Sequence, residues 1–332
     1  MNTPTETRVR VPALLERNHP FRQWKTWQIP GTRLTLTGYS RANDKTFFHI
    51  PELKCSVDAG LCEGRQPDTI FLTHTHNDHA ADLEFMAGKP SGVDLYVPRE
   101  AAPYVERYIR SRRELNHVAA FDPALAGELR LHPVAGGEAL TLGKRDAYVV
   151  RVVACEHKVP CVGYCFSQRS TRLLPALRER KAALEAAGQL KEFGKELGQR
   201  RARGEPIEEV YERPLFAFLG DTHPRVFDRN PWLFDYPVII TECTYLDVQE
   251  RERAERVGHT EWSQLRPILL AHPSTTFVLI HFSLRHSDRE VVEFFERAAL
   301  EHADAGGLAN VVVWAHPESH LPEQHQRSCG DG

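Results

Sequence analysis

The run Phe71-Leu72-Thr73-His74-Thr75-His76-Asn77-Asp78-His79 decides how the rest of the chain is read. It sets three imidazoles and a carboxylate within six residues, directly after the apolar segment Thr69 to Leu72. A lone histidine on an apolar face is an ordinary core residue, but four metal-competent side chains at the end of a buried strand are not. Side chains alternate along a strand, so His74 and His76 point the same way at its C-terminal end. A turn after them lets Asp78 and His79 enter the same space from the other side. Imidazole nitrogen with carboxylate oxygen suits zinc, manganese or iron. The stretch reads as a dinuclear metal site.

The chain around it has 332 residues, 41% hydrophobic and 26% charged, with a net charge of −3. That supports a real core and excludes a general polyanion binder, so any nucleic-acid contact needs a local basic patch. No apolar run reaches the roughly 18 to 20 residues of a membrane span. Residues Met1 to Arg8 lack an apolar signal core. Seven cysteines without a regular framework suggest reduced thiols, and the expected location is the cytoplasm. Cys161 and Cys165 are spaced like a metal pair, but nothing suitably spaced accompanies them, which favours buried free thiols.

Taken in order, residues 1–25 are polar and proline-containing, and read as an extension outside the main domain, which is expected over 26–318. Leu34 to Thr37, Phe47 to Ile50 and Leu53 to Val57 read as strands. Asp58 then either supports the metal loop from behind or caps a turn; spacing leaves both open. Ala80 to Met86 reads as a helix, Leu95 to Val97 as a strand, Arg99 to Glu114 as a helix, and Leu129 to Val134 and Tyr148 to Ala154 as strands. Strands interrupted by helices indicate an α/β chain with helices on sheet faces. Residues 319–332 read as a disordered tail.

Residues 168–214 interrupt this pattern. From Gln168 to Arg203 there are ten Lys/Arg against four Glu, a local excess of +6 in a negatively charged chain. Leucines at partial helical spacing predict a small helical hairpin broken at Gly188. A solvated charged helix is the bland reading; the sign bias favours a protruding basic arm. Its candidate contact residues for a polyanion are Arg178, Arg180, Lys181, Lys191, Lys195, Arg200, Arg201 and Arg203.

Beyond the arm three continuous apolar strands end in Gly220-Asp221-Thr222, Glu242-Cys243-Thr244 and His281-Phe282-Ser283. The C-terminal ends of strands are where open α/β sheets place ligand sites. A two-ion hydrolytic centre needs about seven protein ligands, one of them bridging. His74, His76, Asp78 and His79 supply four, Asp221 is the natural bridge, and His281 completes the second ion. The last comes from His117, His132 or His157, and His157, at the end of an apolar strand, is favoured. Glu242 and His259 either form an acid-positioning pair or are a helix cap and a surface histidine.

His74-Thr75-His76-Asn77-Asp78-His79 matches the HxHxDH signature, and the ordered set resembles the metallo-β-lactamase superfamily. Within it, Gly163-Tyr164 after His157, Phe218 to Thr222, Glu242 to Asp247, Gly258-His259-Thr260 and Leu279 to Arg285 are similar to short-form tRNase Z, the tRNA 3′-processing endoribonuclease. The resemblance implies an αββα sandwich with an inserted arm. It implies two Zn2+ (manganese or iron being possible): one held by His74, His76, His157 and Asp221, the other by Asp78, His79, Asp221 and His281. It further implies removal of 3′ trailers from precursor tRNA by a metal-held hydroxide, with Asp78 as base. His259, oriented by Glu242, would protonate the leaving 3′ oxygen. A homodimer, in which one subunit's arm presents tRNA to the other's site, is implied as well. Two departures stand out: the arm lacks the family's Gly-Pro motif, and His286 occupies a position usually held by Tyr. The alternatives are hydrolysis of a small substrate such as a cyclic nucleotide, lactone or thioester, or a non-catalytic RNA-binding relative.

Overall fold

A computed structural model describes residues 24–123, 128–301 and 307–317. Residues 1–23 of the expected N-terminal extension and the whole of the expected tail, 319–332, lie outside the described residues. Two seven-stranded sheets form the centre of the molecule. The first sheet runs in sequence order through β1 (Lys25–Gln28), β2 (Thr35–Arg41), β3 (Lys45–Ile50), β4 (Cys55–Val57), β5 (Thr69–Phe71), β6 (Val93–Pro98) and β7 (Leu129–Val134). It is antiparallel from β1 to β4 and parallel from β4 to β7. The second comprises β8 (Ala139–Leu142), β9 (Tyr148–Cys155), β10 (Cys161–Leu173), β11 (Glu208–Phe218), β12 (Val238–Glu242), β13 (Thr276–Ile280) and β14 (Val311–Val313). It too changes from antiparallel to parallel, at β11.

The sheets pack face to face because the inward residues of both are apolar. Phe48, Val57 and Phe71 from the first meet Val150, Tyr164 and Phe218 from the second in one core. Phe48 packs edge-on to Phe218 with centroids 5.3 Å apart, and Phe71 lies 5.0 Å from Tyr164. The short continuous apolar strands need cover on their other faces too. On the first sheet α1 (Asn77–Ala80), α2 (Leu83–Ala87) and α3 (Ala102–His117) provide it, through Leu83, Met86, Val105 and Ile109. On the second, α6 (Arg225–Arg229), α8 (Trp262–Ala271) and α9 (Asp288–Glu301) do so through Val226, Leu265, Leu269 and Phe295, with α7 (Arg251–Val257) beside them. The result is an αββα sandwich.

Three expectations need correction. The helix read over Ala80 to Met86 is two short helices broken at Ala81–Asp82, because the chain must turn to deliver Asp78 and His79. The strand read from Leu53 begins only at Cys55, since Pro51–Leu53 is a 3-10 turn closed by Lys54 at φ +51°. The arm is more than a helical hairpin. β10 and β11 extend their ladder to the pair Leu173 and Glu208, forming a stalk. At its tip stand α4 (Pro175–Ala186) and α5 (Leu190–Ala202) around a small core of Leu177, Leu184 and Phe193.

Candidate metal centre

Most of the candidate site residues sit at or just past a strand end. Asp58 follows β4, His74 follows β5 by three residues, and Asp78 and His79 fall in α1. His157 follows β9, Asp221 follows β11, Glu242 ends β12 and His281 follows β13. Two sheets packed face to face bring these ends together at one edge. The close approach requires glycine: a Cβ on Gly60 would lie 1.8 Å from the Asp78 carbonyl, and one on Gly220 would lie 2.8 Å from the Thr73 Cβ. Asp58 and His281 take left-handed backbone conformations, φ +62° and +64°. Such strain costs about 1–3 kcal/mol per residue and clusters at functional sites.

The donor atoms converge. His76 Nδ1 is 3.1 Å from both His74 Nε2 and His157 Nε2, and Asp221 Oδ2 is 3.6 Å from His74 Nε2. On the other side His79 Nε2 and His281 Nε2 are 3.2 Å apart. Asp221 lies 3.5 Å from the first and 3.4 Å from the second, and Asp78 Oδ2 is 3.3 Å from His281. His74, His76, His157 and Asp221 thus form one group able to hold an ion, and Asp78, His79 and His281 another. The far nitrogens of four of the rings are already engaged. His79 Nδ1 donates to Asp58 Oδ2 (2.7 Å), His281 Nδ1 to the Thr244 hydroxyl (3.0 Å), His157 Nδ1 to the Gly258 carbonyl (2.8 Å), and His74 Nδ1 to the Thr73 hydroxyl (3.0 Å). Those bonds set the tautomers and turn the remaining lone pairs toward one another and toward carboxylate oxygens. Lone pairs facing at 3.2 Å repel unless a cation stands between them. The residues therefore fit a divalent metal centre.

The electrostatics agree for three of the rings and differ for His79, where burial is outweighed by Asp221 and Asp58, which raise it well above its ordinary pKa. Burial, then the neighbouring imidazoles, holds His74 well below its ordinary pKa, and burial lowers His76 and His157. These rings are neutral and ready to ligate. Burial opposes the charge on Asp221, yet His281, His79 and His74 together drive its carboxyl well below the usual range. Asp78 is likewise lowered, against burial, by the neighbouring His281 and His79.

Glu242 and His259 meet beside this cluster. Glu242 Oε1 accepts from His259 Nδ1 at 2.8 Å, and Asp221 Oδ2 is 3.8 Å from the same nitrogen. Burial works against a charged His259, but Glu242 outweighs it and raises the group to about 9. The carboxylate is also fixed by the backbone N–H groups of Thr222 and Thr260 (2.8 and 3.1 Å) and by the Thr244 hydroxyl (2.5 Å). Glu242 is buried and bonded on every side, not a helix cap.

Other readings divide. Asp58 stands behind the ligands, accepting from His79 and from the Thr73 N–H and hydroxyl at 2.8 Å. His132 instead pairs with Asp94 and stacks on Tyr96, and His117 ends α3 on the surface. Cys161 and Cys165 are buried free thiols. In the arm, Arg178, Arg180, Arg200 and Arg203 face Glu209, Glu196 or Glu205, whereas Lys181, Lys191, Lys195 and Arg201 have no carboxylate partner among the described residues. Glu208, Glu209 and Glu212 on the returning strand also offset the excess counted to Arg203. Thr73, Thr244 and the Asn43 N–H, which donates to Asp78 Oδ2 at 3.1 Å, went unread in the sequence. For the threonines the available signal was a hydroxyl placed one or two residues from a strand-end ligand.

Residues 57–175 match the family model of the Beta-lactamase superfamily domain. The chloroplastic tRNase Z of Arabidopsis thaliana is 30% identical over 269 residues, 78% of this chain and 70% of that protein. The Ribonuclease Z of Streptomyces avermitilis is 29% identical over 76% of this chain and 79% of its own length. Among solved structures, human tRNase Z, short form, superposes with a TM-score of 0.43 at 17% identity, covering 79% of this chain and 93% of that one. By the extent and identity of the sequence matches, this chain belongs to the tRNase Z, or ribonuclease Z, family of metal-dependent hydrolases with the metallo-β-lactamase fold.

Proposed function

We propose that the protein removes 3′ trailers from precursor tRNA as a homodimeric, two-zinc endoribonuclease of the cytoplasm. The observation that carries this reading is the Glu242–His259 pair, 2.8 Å apart and adjoining Asp221. Hydrolysis at a metal pair needs a nucleophile and charge neutralisation, but expelling a ribose 3′ oxygen also needs an acid.

His74, His76, His157 and Asp221 would hold one ion; Asp78, His79, His281 and the shared Asp221 would hold the other. When bound, such a pair acidifies water and neutralises charge developing on phosphate. The chain's own residues do the rest. Asp78, ionised and oriented by His281 and the Asn43 N–H, takes a proton from the attacking water. His259, kept protonated at neutral pH by Glu242, donates the proton on its Nε2 to the leaving 3′ oxygen. Asp58 holds His79, and Thr244 holds His281 while donating to Glu242. The products are a tRNA with a free 3′-hydroxyl and a trailer with a 5′-phosphate. The mix of imidazole and carboxylate favours zinc, with manganese or iron as substitutes.

The arm supports the choice of substrate. Folded RNA is captured through backbone and shape, with a strong electrostatic component. Lys181, Lys191, Lys195 and Arg201, without a carboxylate partner among the described residues, suit that task. Reduced cysteines are typical of a cytoplasmic protein, and no described helix is long and apolar enough to cross a membrane. The test is incubation with a trailer-bearing precursor tRNA, reading the cleavage position and end groups. A 3′-hydroxyl at the end of the mature tRNA is expected; intact precursor alongside turnover of a small phosphodiester would refute the tRNA reading.

A further inference from the structure

Beside the metal cavity lies a second cavity of about 300 Å³, and Asn77 stands in the wall of both. Its floor is Leu83 and Val105, its side the rings of Tyr104 and Tyr108 on α3, and its rim toward the metal loop Thr75 and Asn77. Tyr108 is fixed by a hydrogen bond from its hydroxyl to the Ala81 carbonyl at 3.1 Å. Tyr104 presents its ring to solvent, 66% exposed. The Thr75 hydroxyl and the Asn77 side-chain amide hold no hydrogen bond among the described residues. A flat apolar slot, an aromatic wall and two unengaged polar groups at its edge suit a planar heterocycle with hydrogen-bonding edges.

We propose that this cavity receives the base of the first trailer nucleotide, immediately downstream of the scissile phosphate. The inference rests on the precursor-tRNA reading above. If His259 protonates the leaving 3′ oxygen, the upstream nucleotide belongs with His259, Tyr245 and Arg253 at the metal cavity's wall. The phosphate's 5′ oxygen, with the trailer attached, must exit past a different wall. Among the cavities formed by described residues, two share a wall with the metal cavity. The one shared through His157 and Lys158 has no Tyr, Phe or Trp among its described lining residues. The one shared through Asn77 has two. Stacking tolerates any base, as a trailer of variable sequence demands, and Arg107, 6.0 Å from the Tyr104 ring, is placed to meet the next phosphate.

The test pairs a protein change with a substrate change. Two precursor tRNAs are compared, one with an ordinary first trailer nucleotide and one abasic at that position. On the ordinary substrate Tyr104→Ala is expected to lower kcat/KM roughly tenfold, mainly through KM, and Tyr104→Phe to restore it to within about twofold. The abasic substrate is expected to cost the wild type the same roughly tenfold, with no further loss in Tyr104→Ala. A loss in Tyr104→Ala of equal size on both substrates, or no loss on either, overturns the base pocket. Equal losses accompanied by dissociation of a dimer in mass measurements would assign this face to a second copy instead. Failure of the wild type to cleave either precursor would overturn the precursor-tRNA reading itself, and the pocket with it.

Discussion

Asp221 touches both halves of the cluster, within 3.4 to 3.6 Å of His281, His79 and His74. Asp221→Ala should therefore empty the whole centre rather than half of it. Elemental analysis of the purified variant is expected to find almost no metal, and one retained ion per chain would contradict the bridging assignment. His259→Ala should behave differently, because His259 is not needed to complete either group. Metal content should stay at the wild-type level while kcat on precursor tRNA falls about 10²–10⁴-fold, the usual contribution of a positioned acid. A third residue-scale expectation concerns pH. Burial opposes the charge on Asp288, but Lys25 (2.8 Å) and the buried Arg41 (2.6 Å) lower its pKa. A depressed carboxyl contributes stability above its unfolded value, about 4, and loses it as pH falls through the lower folded value. Asp288→Asn leaves Arg41 uncompensated and should cost about 3 kcal/mol near neutral pH. Denaturant melts should show the gap from wild type narrowing below about pH 4.

Among the elements, the arm invites the cleanest dissection. The Leu174 N–H donates to the Ile207 carbonyl at 3.0 Å, closing the stalk beneath the helices. Replacing residues 175–206 by a short turn should leave the β10–β11 ladder intact. Precursor-tRNA cleavage is expected to disappear while a small chromogenic phosphodiester is still hydrolysed; unchanged tRNA cleavage would exclude the arm from substrate capture. The helical pair was legible in the leucine spacing and in Gly188, because these are local features. The stalk was not, since Arg169, Thr171, Glu209 and Tyr211 alternate with residues that face no core and carry no apolar period. For the same reason the charge count alone misjudged the basic face: the carboxylates that neutralise Arg178, Arg180, Arg200 and Arg203 come from across the ladder, the helical pair and the turn after it.

At the scale of the whole molecule, the centre is shared between the two sheets. His74, His76, Asp78 and His79 come with the first; His157, Asp221 and His281 come with the second. Metal bound there stabilises only the folded arrangement, by about 4 kcal/mol when the free ion is a thousandfold above its dissociation constant. Chelation should lower the thermal midpoint and zinc should restore it; a midpoint indifferent to metal would mean the halves are held together without it. The sequence by itself determined which residues were candidate ligands, because most of them lie just past the end of an apolar strand and strand-end position is a local property. It also determined the α/β class, through the alternation of strand and helix signals. Only the tertiary structure set His157, rather than His117 or His132, beside the other candidate ligands, and set Glu242 against His259 rather than at a helix cap. It likewise revealed Thr244 and Thr73 and brought Tyr104 beside Asn77. Those outcomes depend on which strand ends are brought to one edge when two sheets close on a common core, and no short stretch of chain encodes that.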